Sequence, residues 1–155
     1  MSLDQLYQQI ILEHSKARHG SGLAAAGEPE GATVGQSHQL NPVCGDEITM
    51  RVAVAGGKVS ELRWDGEGCS ISMAAASVLT DLAEGLDPDE LRRVIDSFRE
   101  VLRSRGKVPA DPELLGDAAA FEGVSRYAAR VKCAMLSWVA AEDALGQALA
   151  QQSGQ

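Results

Sequence analysis

Two short runs on either side of a double glycine limit the possible folds of this 155-residue chain more sharply than anything else in it. From Glu47 to Ala55 the residues alternate, with Ile48, Met50, Val52 and Val54 on one side of the pleat, and Lys58 to Asp65 follows directly after Gly56-Gly57. Period-two alternation broken by a glycine pair predicts a β-hairpin with one buried face. A two-residue Gly-Gly loop sets Val52 against Glu61 and Met50 against Arg63, apolar against charged. A three-residue loop, Ala55-Gly56-Gly57 with Gly57 left-handed, instead sets Val52 against Ser60, Met50 against Leu62 and Ile48 against Trp64, and is the preferred register. In either register Cys44 and Cys69 fall within about one position of facing each other beyond the open end of the hairpin.

Ser2 with Gln5 three positions later is a capping-box signature, and Leu3, Leu6, Tyr7, Ile10, Ile11 and His14 then recur at helical spacing, predicting an amphipathic first helix. Residues 20–37 are rich in Gly, Ala, Glu and Pro without apolar periodicity, which predicts an extended connection and leaves open an edge strand in part of it. After the hairpin, Ser70 or Ser72 is the expected cap of a helix that stops at Gly85. Asp87, Pro88 and Glu90 open another, with Leu91, Val94, Ile95, Phe98, Val101 and Leu102 inward and Gly106 closing it. Asp111-Pro112 starts a short helical piece. A final helix from Ala128 to Ala150 carries Val131, Met135, Trp138, Val139 and Leu145 on its apolar side and Cys133 in its first turns. Helix, strands, then helices, with no internal repeat, predicts one α+β domain over residues 1–155, a small antiparallel β-sheet with helices packed on one face.

A formal charge of -8 and 4% aromatic residues exclude the usual nucleic-acid binder, which needs a basic face and stacking rings. No stretch approaches the roughly 20 apolar residues of a membrane span, and the N-terminus has no basic region followed by an apolar run. The expectation is a soluble, cytoplasmic protein. Three widely spaced cysteines cannot all pair, and without an export signal they point to a metal or to reactive thiols rather than to a disulfide framework.

Three segments carry the candidate chemistry. In Asn41-Pro42-Val43-Cys44-Gly45-Asp46 a thiol and a carboxylate lie two residues apart, and Gly45 lets the backbone turn both toward one ion. In Gly66-Glu67-Gly68-Cys69-Ser70-Ile71-Ser72 the thiol lies at a helix start, whose dipole favours thiolate. Cys133 adds a third sulfur. Cys44, Asp46, Cys69 and Cys133 together make the four-donor set that zinc accepts. Three thiolates and a carboxylate around a dication leave about -2, which invites a neighbouring cation, and Arg130 and Lys132 flank Cys133. Taken singly each cysteine also reads as a small buried hydrophobe, and Asp46 as a turn residue. It is their convergence at one end of the hairpin that favours a site. His14 continues an apolar stripe and reads as a core residue rather than a ligand, and His38, just ahead of the Cys44 loop, is left without a role. Arg92, Arg93, Arg99, Arg103 and Arg105, among acidic residues, read as a solvated helix face.

These segments, with Gly123-Val124 and Ala129-Arg130-Val131-Lys132-Cys133-Ala134, resemble the three metal-site segments of the IscU/NifU-N family of iron-sulfur cluster assembly proteins, in particular its SufU branch. The opening Leu3-Asp4-Gln5-Leu6-Tyr7 and Ile10-Ile11-Leu12-Glu13-His14 resemble the family's first helix, so the likeness covers nearly the whole chain. IscU scaffolds carry a histidine directly before the third cysteine where this chain has Lys132, and they carry a Leu-Pro-Pro-Val-Lys chaperone motif that it lacks. Residues 85–123 resemble the helical insertion of SufU proteins. Ala17 and Ala128 stand where the family usually has proline.

The resemblance implies a zinc-dependent sulfurtransferase that takes persulfide sulfur from a PLP-dependent cysteine desulfurase of the SufS type and hands it to downstream iron-sulfur assembly proteins. Cys44 is then the acceptor. A partner side chain, a histidine, takes its place on the zinc, Arg130 holds Asp46 or steadies the freed thiolate, and Cys69 and Cys133 stay as anchors. One alternative is a non-enzymatic scaffold holding a [2Fe-2S] cluster on the same four residues. The other is a purely structural zinc module.

Overall fold

Residues 2–23 and 31–153 are described by the structure, a computed structural model. Helix α1 (Leu3–Ala17) opens with the expected capping box: the Ser2 hydroxyl accepts from the Gln5 amide at 3.2 Å, and the Gln5 side chain accepts from the Ser2 amide at 3.0 Å. It rests on the rim of the molecule, so Leu3 and Leu6, expected to face inward, are exposed, and His14 is its one fully buried side chain.

Three antiparallel strands follow in the order β1 (Thr33–Asn41), β2 (Asp46–Ala55) and β3 (Lys58–Glu67). The extended connection expected over 20–37 therefore ends early, and its last part is an edge strand; residues 24–30 lie outside the described residues. The inward positions of β1 are Thr33, Gly35, Ser37 and Asn41, with no apolar side chain among them, so its strand character is hidden from a search for apolar alternation.

The hairpin takes neither simple register. Ala55 pairs with Lys58 across Gly56-Gly57, whose φ angles of 61° and 75° are those of a tight two-residue turn. A bulge between Ala53 and Val54 then shifts the ladder, so that Val52 faces Leu62 and Met50 faces Trp64. The extra residue is Ser60, whose hydroxyl donates to the Ala53 carbonyl at 3.2 Å. One bulge thus reconciles the turn that two glycines favour with an apolar-on-apolar face.

Helix α2 (Ser70–Ala83) is capped by Cys69 itself rather than by Ser70 or Ser72, with no side-chain bond at the cap. Helix α3 (Pro88–Arg103) opens after Asp87 as expected, and the structure adds a capping box between Asp87 and Glu90. Helix α4 (Pro112–Leu115) leads into a 3-10 helix (Gly116–Arg126) and then α5 (Ala128–Ser153). Val139, expected on the apolar side of α5, is exposed, because Trp138, Ala140 and Ala141 take the inward positions. α5 lies along β1 and β2, α2 touches β3, and α1 packs on α2, so the helices cover the sheet in an α+β arrangement. The approach of α5 to the sheet is close: a Cβ on Gly35 would stand 1.8 Å from the Ala144 carbonyl oxygen. Trp138 stacks on Phe98 at 3.8 Å and donates its indole N–H to the Ala75 carbonyl, which ties α5 to α3 and α2. None of the described helices is long and apolar enough to cross a membrane.

Candidate metal centre

The turn between β1 and β2 is built by Asn41 and Gly45. The Asn41 carbonyl accepts from the Gly45 amide at 2.8 Å, its side-chain oxygen accepts from the Val43 amide, and Gly45 is left-handed at φ 72°. This puts Cys44 at an exposed tip and turns Asp46, the first residue of β2, completely inward. Beside the strand end, Asp46 Oδ1 accepts the Cys69 amide at 3.0 Å, so the carboxylate caps the start of α2 in place of Cys69's own side chain. Gly68 makes this possible: a Cβ there would stand 2.5 Å from Asp46 Oδ1.

Cys133, buried in the first turns of α5, comes in from the other direction. Its Sγ is 3.4 Å from Cys44 Sγ and 3.6 Å from the Ala129 carbonyl oxygen. A donor atom from each of Cys44, Asp46 and Cys133 lies within 4.8 Å of the other two. Cys69 Sγ does not share that cluster; it lies 3.6 Å from Ser72 Oγ, and Ser72 in turn donates to the Cys133 carbonyl at 3.2 Å. The expected meeting of Cys44 with Cys69 is thus first a meeting of Cys44 with Cys133, and Cys69 joins through its amide. Ser72, expected from the sequence only as a cap, links Cys69 and Cys133.

Asp46 Oδ2 is buried without a hydrogen-bond partner, an expensive state for a carboxylate oxygen that a cation at this point relieves. Two sulfurs and a carboxylate around that oxygen, with a third thiol adjacent, suit a zinc ion. Without a cation, burial raises the Asp46 pKa, but the Cys133 thiol beside it and the hydrogen bond from the Cys69 amide outweigh that and hold the carboxyl below its ordinary value. Burial, and then hydrogen bonding to Asp46, Cys44 and Cys69, push the Cys133 thiol up. A dication reverses that preference by favouring thiolate.

Arg130 is not brought onto Asp46. Its guanidinium lies 5.9 Å from the Tyr127 ring centre, and it helps to line a groove of about 450 Å³ between α1 and the 3-10 helix, with Tyr7, Ile11, Ile71 and Val124. Lys132 is exposed on α5. His38 Nε2 lies 2.6 Å from Glu47 Oε1, away from the cluster.

The NifU-like N-terminal domain model matches residues 6–134, most of the chain and every cysteine in it. The chain belongs to this family. The NifU-like domain is 38% identical over 141 residues to the zinc-dependent sulfurtransferase SufU of Bacillus subtilis, across 91% of this chain and 90% of that protein. It is 33% identical to the iron-sulfur cluster assembly scaffold protein IscU of Streptococcus pyogenes, across 92% and 84%. Its fold matches the crystal structure of FiSufU from Fervidobacterium islandicum, described as an iron-sulfur cluster assembly scaffold for the SUF system, with a TM-score of 0.73 and 27% identity over 93% of this chain and 99% of that one.

Proposed function

We propose that this NifU-like domain is a sulfurtransferase of iron-sulfur cluster assembly, which accepts persulfide sulfur on Cys44 from a SufS-type cysteine desulfurase and passes it on, with zinc held by Cys44, Asp46, Cys69 and Cys133. The observation that carries this reading is the inequality of the donors: Cys44 stands exposed at a turn tip and Cys69 exposed at the start of α2, while Asp46 and Cys133 are buried behind them. A site meant only to hold an ion gains nothing from exposing two of its thiols in this way, and of the two Cys44 is the one carried on a turn rather than at a helix start. Val43 and Leu40, 74% and 56% exposed, surround that tip with apolar surface of the kind a protein partner covers.

Zinc, when bound, keeps the thiols ionised at neutral pH. The Cys44 thiolate attacks the outer sulfur of the partner's cysteine persulfide; a new S–S bond forms, the partner's S–S bond breaks, and its cysteine leaves as a thiolate. No net oxidation or reduction occurs. Asp46 and Cys133 hold their positions through the Cys69 amide and Ser72. Arg130, exposed three residues before Cys133, is assigned to steady the Cys44 thiolate.

The test is a desulfurase assay with and without this protein, beside metal analysis. We expect about one zinc per chain, faster turnover with the wild type, and no acceleration with Cys44→Ala. A zinc-free wild type, or a Cys44→Ala variant that accelerates turnover equally, overturns the reading. The similarity to IscU scaffold proteins and the thiol-rich donor set favour a second reading, assembly of a [2Fe-2S] cluster on the same residues. Anaerobic reconstitution giving a stable cluster that moves intact to an apo-protein selects it.

A further inference from the structure

About 18 Å along α2 from Cys69, at Asp81, the end of α1 meets α2 in a group of nitrogen and oxygen donors that the sulfur chemistry does not use. One ring nitrogen of His14, one of His19 and a carboxylate oxygen of Asp81 lie within 4.8 Å of one another. The two imidazoles meet edge to face, with centroids 5.3 Å apart. His14 is 7% exposed and both its nitrogens are engaged: Nε2 lies 3.0 Å from Asp117 Oδ2 and Nδ1 lies 2.8 Å from Ser77 Oγ. An ionised carboxylate can only accept, so Nε2 carries a proton, and in the neutral ring Nδ1 is then the lone-pair nitrogen. Ser77 Oγ also accepts the His19 amide at 3.0 Å, which sets Nδ1 on the side where His19 sits. His19 Nδ1 is 2.8 Å from Asp81 Oδ2.

We propose that His14, His19 and Asp81 form a second metal site, of nitrogen and oxygen donors, that takes a divalent first-row transition ion independently of the cysteines. Two imidazoles and a carboxylate are a donor set that zinc, cobalt, nickel and ferrous iron accept, and three protein ligands leave a position for water. Asp117 stands where a carboxylate behind a ligating imidazole belongs, fixing the tautomer and raising the basicity of the coordinating nitrogen. The ion has a way in, because the His19 and Asp81 side chains are each 48% exposed. The turn that carries His19 is held tightly on α2: a Cβ on Gly20 would stand 2.4 Å from Thr80 Oγ1. On binding, the Ser77 proton gives up Nδ1 while its oxygen keeps the His19 amide. The same Asp117–His14–Ser77 chain resembles a hydrolytic triad, but Ser77 is fully buried and no substrate reaches its hydroxyl. The chain's charge of -8 adds a general attraction for cations.

The experiment starts from protein carrying one zinc at its cysteines and titrates it with cobalt(II), and separately with further zinc, while following stoichiometry, visible absorption and melting temperature. We expect one further equivalent, weak cobalt bands without the intense thiolate charge-transfer absorption, and a higher melting temperature. His19→Ala and Asp81→Asn, both at partly exposed positions, should each weaken this second equivalent about tenfold or more and leave the first zinc in place. A zinc-loaded wild type that takes no second equivalent, or one that His19→Ala and Asp81→Asn leave unchanged, overturns the proposal and leaves the cluster a hydrogen-bonded clasp between two helices. The first zinc and the desulfurase assay are read separately, so failure here and failure of the sulfur-transfer reading are distinct results.

Discussion

Asp46 concentrates the chemistry of this protein in one side chain. Oδ1 caps α2 through the Cys69 amide, while Oδ2 is buried beside two thiols without a partner. The carboxylate therefore serves the helix start and, in the proposed site, the ion, and the two roles separate at Gly68. Gly68→Ala puts a methyl group 2.5 Å from Oδ1, so the variant should lose most of its zinc while its circular dichroism stays that of the wild type. The pH dependence has a definite sign in metal-free protein. The folded-state pKa of Asp46 lies below its ordinary value of 3.8, so the stability it contributes is present above that pH and is lost as pH falls below it. Urea midpoints of metal-free wild type should drop along that acid limb, and those of Asp46→Asn should drop less. Cysteine, glycine and aspartate in the turn were legible as a metal motif because they are neighbours in the chain. The orphaned oxygen was not, because its burial depends on α2 and α5.

Among the elements, β1 shows why local pattern is an incomplete guide. A strand is recognised by apolar alternation, yet the buried side of β1 is Thr33, Gly35, Ser37 and Asn41, since α5 runs too close to leave room for larger groups. Gln147 and Gln151 of α5 accept the Gln36 and Val34 amides, so the open edge of this strand is partly covered by helix side chains. Gly35→Ala should push α5 away from the sheet at a cost of about 3 kcal/mol or more, measurable by chemical denaturation, because the obstacle is the Ala144 backbone rather than a flexible side chain. Elements whose signals are local were legible: the capping box at Ser2, the helix start at Asp87, and the stop at Gly85. The bulge at Ser60 was not, because it arises from a conflict between the turn the glycines favour and the face the core requires.

At the scale of the whole molecule, one core carries both the fold and the approach of the candidate metal donors. Trp138, fully buried, stacks on Phe98, and Phe98 meets Phe121 edge to face, so α3, the 3-10 helix and α5 share an aromatic cluster. Trp138→Ala should cost about 3–5 kcal/mol, a large part of an ordinary domain's stability, as read from denaturant midpoints. Metal removal is expected to act over the same scale, since the proposed ligands come from the β1–β2 turn, the start of β2, the start of α2 and the first turns of α5. Chelation should lower the melting temperature of wild type and barely change that of Asp46→Ala. The sequence by itself determined the alternation of β2, the helix ends and the four candidate donors, because each is written in residues a few positions apart. Only the tertiary structure decided that Cys133 reaches Cys44 across 89 positions, that Cys69 joins through its amide and lies beside Ser72, and that His14 and His19 meet Asp81. Those approaches depend on how helices settle on a sheet, and the packing that places them is spread over the whole core rather than held in any one segment.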